Sequence, residues 1–254
     1  MKRTLLLIVS LWLTLNNING QGIAEKSFSQ FTWINTGSHD ISFNAKFGYE
    51  LNSFTVVNKR CDELPETDPC YEAYNSLETV LLGRYKDASM SESVNILYSP
   101  GPSIDPTFKI TDKDNHKVIW EYVAEELCIA SSGIIYTAGS INKMFQERTK
   151  WRLFGGRVQE VQQPYLYVGL KGKLLCDVKL YSEKTGGQVV ATLPKGYEIE
   201  ILLADMEGIQ SERGISSPKN YLARSAFGLI GWLRLTEAQM YGTPVLPGLL
   251  FHGD

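Results

Sequence analysis

The chain has 254 residues, 43% hydrophobic and 21% charged, the composition of an ordinary globular protein rather than a disordered one. Its net charge is −3, with three histidines and four cysteines. An acidic balance argues against nucleic acid and against a polybasic membrane anchor, and so few histidines and cysteines argue against a dedicated metal site.

Residues 1–20 read as a secretory signal peptide. Met1-Lys2-Arg3 is the basic start, Leu5 to Leu15 the apolar core, and Asn16 to Gly20 the polar cleavage region. The apolar run is too short to span a bilayer, which needs about 20 residues. Cleavage after Gly20 leaves Gln21 first, so the expected location is periplasmic or extracellular, without stable membrane insertion. An oxidising compartment permits disulfides. Cys61 and Cys70 flank a polar, turn-rich loop, and a bridge between them would pin it. Cys128 and Cys176 lie in apolar surroundings, either as a second bridge or as buried free thiols.

Residues 21–170 read as a β-rich domain of unknown type with one helix. Alternation marks strands around Phe43–Phe47 and Phe54–Val57. Asp68 suits an N-cap and Pro69 a first helical position. Tyr71, Tyr74, Leu77, Val80 and Leu81 recur at helical spacing up to Gly83, which predicts a helix across this stretch. Residues 91–106, with Ser-Pro-Gly-Pro and Asp-Pro, read as a loop. Hairpins follow at Thr107–Val123 around Asp112–His116, at Glu126–Thr137 around Ser131-Ser132-Gly133, and at Trp151–Val161 around Gly155-Gly156.

The composition shifts near residue 171, from an acidic first part to one with nine basic and nine acidic groups. Strands are expected at Val178–Tyr181, Gln188–Leu193, Tyr197–Leu203, Tyr221–Arg224 and Ile230–Leu233, with a polar excursion at 205–219. The segments Val190-Ala191-Thr192-Leu193-Pro194-Lys195-Gly196, Tyr221-Leu222-Ala223-Arg224 and Phe227-Gly228-Leu229-Ile230-Gly231-Trp232-Leu233 resemble the bacterial SH3-like (Src homology 3) domain. The resemblance covers about residues 173–236 and implies a small β-barrel over 171–240, followed by a tail at 241–254. Gly196 and Gly228 would serve hairpins, Gly231 a close backbone approach, and Trp232 the core. Two departures stand out: Asp177-Val178-Lys179-Leu180-Tyr181 replaces the common Asn-Val-Arg start, and the excursion at 205–219 is long. The apolar tail, Val245 to Phe251, is expected to pack back on the first half as a last strand.

The resemblance implies a non-catalytic envelope module that binds cell-wall peptide or a protein partner. An exposed aromatic groove is the expected ligand surface, with Tyr181 and Tyr221 as its candidates. The alternative from another class is a cell-wall cysteine hydrolase using Cys128. Such an enzyme needs a cysteine at a helix N-terminus and a following histidine base, whereas Cys128 sits in a strand-like run beside Glu125 and Glu126 with only His252 after it. A third reading is a purely structural or inhibitory partner of another secreted protein. His39, His116 and His252 are scattered, no phosphate loop or nucleophile elbow occurs, and Asp112–His116 lacks the Gly and Glu of a calcium loop. No catalytic residue, metal or cofactor is therefore assigned.

Overall fold

The computed structural model describes residues 23–36, 45–74, 78–100, 105–115, 117–209 and 214–253. The signal-peptide reading, Phe43, Leu77, His39 and His116 lie outside the described residues. Among the described residues the architecture is mainly β, with three sheets and three short α-helices: α1 (Ile23–Ser27), α2 (Pro69–Tyr74) and α3 (Glu237–Tyr241).

Sheet I has the order β1 (Thr32–Asn35), β2 (Lys46–Tyr49), β8 (Glu126–Ile129), β9 (Ile134–Gly139), β10 (Glu147–Phe154), β11 (Arg157–Glu160). Sheet II is an antiparallel meander of β3 (Phe54–Arg60), β4 (Val80–Tyr85), β5 (Val94–Ser99), β6 (Thr107–Thr111) and β7 (Val118–Val123). Sheet II is inserted between β2 and β8, which pair in parallel. The two sheets bury their facing sides against each other, with Phe47, Leu127 and Trp151 from one and Leu82, Ile96, Phe108 and Tyr122 from the other. Such a sandwich needs alternating strands, and β10 supplies one: Glu147, Thr149, Trp151 and Leu153 point inward.

The expected hairpins form at β6–β7, β8–β9 and β10–β11. Two expectations fail. The helix is described over Pro69–Tyr74, and Val80 and Leu81, expected within it, belong to β4. That strand is paired on both sides, and a Cβ at Gly83 would stand 2.3 Å from the Thr55 carbonyl. A buried strand is apolar on both faces, so its residues also fit a helical stripe. Residues 91–106 are not all loop, because β5 runs through Val94–Ser99 at the centre of sheet II.

Cys61 and Cys70 are bonded, with Cα atoms 5.2 Å apart. The loop they close lies over the outer face of sheet II, where both sulfur residues pack with Leu81 and Leu97. Asp68 accepts from the Cys70 amide at 2.9 Å and is ion-paired with Arg84, so the entry to α2 is held as the sequence suggests.

Sheet III has the order β12 (Tyr165–Lys173), β15 (Glu198–Asp205), β16 (Asn220–Ser225), β17 (Ile230–Arg234), β13 (Val178–Tyr181), β14 (Val189–Leu193). It is not closed into the expected barrel, since β12 and β14 are its two ends and do not pair. The compositional shift at 171 falls inside β12, whose pairing assigns all of Tyr165–Lys173 to this sheet. The inner face buries Leu180, Ile199, Ile201, Tyr221, Ala223 and Leu233. Met144 and Phe145, from the β9–β10 connection, enter the same core, which joins the two parts of the chain. The tail closes this core with Val245, Leu246 and Leu249. The tail forms no strand and does not pack chiefly on the first half as expected: its apolar side chains enter the core of sheet III, and His252 makes isolated bridges to Ile141 and Lys143 of the first half.

A candidate ligand-binding face on the third sheet

The two faces of sheet III differ because side chains alternate along each strand. Residues opposite one another across paired strands share a face. Tyr167 is opposite Leu203, Leu203 opposite Leu222, Leu222 opposite Trp232, and Trp232 opposite Tyr181. These five side chains form one row across five strands on the outer side. Tyr167 is 59% exposed and Tyr165, two residues earlier, 42%. Leu203, Leu222, Trp232 and Tyr181 are half-buried.

The row is framed by charge. Arg234 lies over the Tyr181 ring at 4.0 Å and donates to the carbonyls of Glu183 and Gly186. It therefore fixes the 182–187 loop beside the aromatic row. Lys184, from the same loop, is ion-paired with Asp205 and Glu207 and sits 5.9 Å from the Tyr165 ring. Those two carboxylates raise the Lys184 pKa, so the ammonium stays charged. A second row, Lys171, Glu200 and Arg224, crosses β12, β15 and β16, with Glu200 ion-paired to both cations.

At this end the face opens into a groove of about 510 Å³ whose lining includes Lys171, Lys173, Glu198, Glu200, Arg224 and Phe227. Phe227 is 83% exposed at the tip of the β16–β17 turn, with Ile230 exposed beside it. Bulges in β12 and β15 interrupt the register between the two rows. Bulges bend a strand and increase its twist, and the aromatic end is correspondingly drawn together: Tyr165 and Trp232 have centroids 6.4 Å apart.

Of the two expected ligand residues, Tyr181 is on this face and Tyr221 is not. Tyr221 is fully buried among the inner-face residues, and its neighbour Leu222 takes the outward position. The expectation for Trp232 is also corrected: it is half-buried on the outer face rather than in the core. Gly196 and Gly228 take positive φ in the turns they were expected to serve. Gly231 provides the expected close approach, since a Cβ there would be 2.9 Å from both the Leu180 Cβ and the Tyr181 carbonyl. The sequence reading missed Tyr165, Tyr167, Lys184 and Arg234. The alternation Tyr165-Leu166-Tyr167 was a visible signal, but its pairing with β15 was not.

Cys128 is fully buried in β8, and burial together with Glu126 drives its thiol pKa upward. Cys128 and Cys176 are both unpaired. Among the described residues no group of three or more His, Cys, Asp or Glu side chains could hold a metal ion. No described helix is long and apolar enough to cross a membrane.

A further polar cluster is buried where the two parts meet. Lys143 donates to the carbonyls of Val123 and Ile141, and Glu147 accepts from the Ser216 hydroxyl. Burial lowers the Lys143 pKa to about 8 and raises that of Glu147 to about 7.

The chain matches no family model, and neither the curated proteins nor the solved structures give a match.

Proposed function

We propose that the chain is an exported, non-catalytic protein of the bacterial envelope whose C-terminal part is an SH3-like module that binds cell-wall peptide. The observation that carries this reading is the outer face of sheet III, with Tyr165, Tyr167, Trp232 and Tyr181 left partly in solvent and framed by cations. Exposed aromatic rings set on a rigid sheet give contact area at small entropic cost. Lys171, Arg224 and Arg234 supply partners for peptide carboxylates.

Support for the SH3-like reading comes from connectivity. A hairpin, β13–β14, and a meander, β15–β16–β17, meet where β17 returns to β13, next to Gly231 and Trp232. The N-terminal leader and the bonded Cys61–Cys70 pair agree with export. The Cys128 hydrolase is the weaker reading, because a nucleophile needs an accessible, low-pKa thiol and this one is buried with its pKa raised.

The test is co-sedimentation of the purified protein with isolated peptidoglycan, with released muropeptides followed in the same tubes. Pelleting without release is the expected result. Release would overturn the non-catalytic reading. Neither pelleting nor release would favour a protein partner instead.

A further inference from the structure

Sheet I carries a second cavity, of about 260 Å³, between α1 and the outer side of β9 and β10. Its walls are the rings of Phe28 and Tyr136, whose centroids are 4.7 Å apart, and the small side chains of Ala24 and Ala138. Its polar lining includes Arg148 and Lys150 and no carboxylate. Lys150 stands 5.8 Å from the Tyr136 ring centroid. Neither cation makes a salt bridge with the described residues. The Arg148 Nε is buried without a hydrogen-bond partner. Glu126 shares the cross-strand row of Ala138 and Arg148, yet it accepts from the Ala24 amide at 2.8 Å. Its carboxylate thus fixes α1 as the roof of the cavity.

A buried guanidinium N–H with no acceptor among the described residues is costly, and an anion held at that guanidinium offsets the cost. The guanidinium fork matches a carboxylate, and the second cation adds to the attraction. The packed ring pair presents an apolar wall, and the small alanines leave room for a flat apolar body against it. At roughly 30 Å³ per water, the space is that of a small molecule with one ring. We propose that this cavity is a binding site for an aromatic monocarboxylate, with Arg148 as the carboxylate clamp and the packed Phe28–Tyr136 pair as the wall on which the ligand ring lies. The site is separate from the face on sheet III and does not depend on how that face is used.

The experiment uses the full chain with benzoate, phenylacetate and 4-hydroxybenzoate as probes, read by calorimetric titration and by saturation-transfer NMR. Saturable binding of at least one acid is expected, with its methyl ester about tenfold weaker or more. Arg148→Gln should weaken the acid by about tenfold and leave the ester unchanged. Melting curves establish that the variant is folded, and the acid–ester comparison on the unaltered chain needs no variant. Failure of all three acids to saturate, equal binding of acid and ester, or an unchanged affinity in folded Arg148→Gln would each overturn the assignment.

Discussion

Tyr165 and Trp232 stand on strands separated by β15 and β16, yet their ring centroids are 6.4 Å apart. The two rings therefore converge over the intervening strands, and they do so on the solvent side of the sheet. A ring pair of this kind contributes about 0.5–1.5 kcal/mol, which is small beside what buried anchors give to binding. Binding and stability should then separate on mutation. Tyr165→Ala is expected to weaken peptidoglycan co-sedimentation by about tenfold while moving the melting temperature little. Trp232→Ala should weaken it at least as much with a larger stability cost, because Trp232 is half-buried. Unchanged pelleting in both variants would remove the ligand from this face.

Gly231 connects the same face to the core behind it. Its missing side chain lets β17 approach β13, where an added Cβ would stand 2.9 Å from the Tyr181 carbonyl. A backbone atom cannot rotate away as a side-chain end can. Gly231→Ala should therefore force the strands apart, with a cost of about 1–3 kcal/mol. Denaturant unfolding of the variant measures this, and a loss below about 0.5 kcal/mol would mean that the strands shift freely.

Much of this arrangement was legible in the sequence wherever the signal was local. The hairpins at Asp112–His116 and Gly155-Gly156 announce themselves through residues that tolerate positive φ, and Asn115, Gly155 and Gly156 adopt it. The elements that were misread depend on distant partners. Val80–Leu82 is apolar on successive residues because sheet I packs on one side and the Cys61–Cys70 loop on the other, so periodicity alone could not separate strand from helix. The parallel pairing of β2 with β8 spans the whole of sheet II and has no local signature. The candidate face turned on a phase of one residue. Tyr221 and Leu222 alternate, and only the core behind β16 decides that the tyrosine points in.

The cysteines give a prediction about reactivity as well as stability. Cys61 and Cys70 close a short loop, and such a bridge contributes about 2–3 kcal/mol by restricting the unfolded chain. Reduction should lower the unfolding free energy by that amount, and the double replacement Cys61→Ser with Cys70→Ser should reproduce it. In the native, unreduced protein Cys176 should react with a thiol reagent while the buried Cys128 reacts only on unfolding. Rapid labelling of native Cys128, identified by peptide mass, would restore the hydrolase reading to contention.

The buried pair Lys143 and Glu147 should leave its mark on the pH dependence of stability. Burial disfavours both charges, and the attraction between them opposes both shifts. Glu147 has its pKa raised from 4.5 to about 7, so between those values the folded chain keeps a proton that the unfolded chain releases. Its contribution is complete below about pH 4.5 and is lost as pH rises through about 7. Lys143 has its pKa lowered from 10.5 to about 8, so its contribution is present above 10.5 and lost as pH falls through about 8. The two together predict a minimum in this part of the stability between about pH 7 and pH 8. The acid limb has a ceiling on the order of 3 kcal/mol, at about 1.4 kcal/mol per pKa unit. Glu147→Gln keeps an acceptor for the Ser216 hydroxyl and carries no charge, so it should flatten the acid limb and raise stability at pH 7.5 relative to pH 5. Lys143→Met should flatten the alkaline limb. Denaturant unfolding across pH 5 to 10 measures both limbs, and parallel curves for Glu147→Gln and the unaltered chain would show that Glu147 is ionised at no cost in the fold.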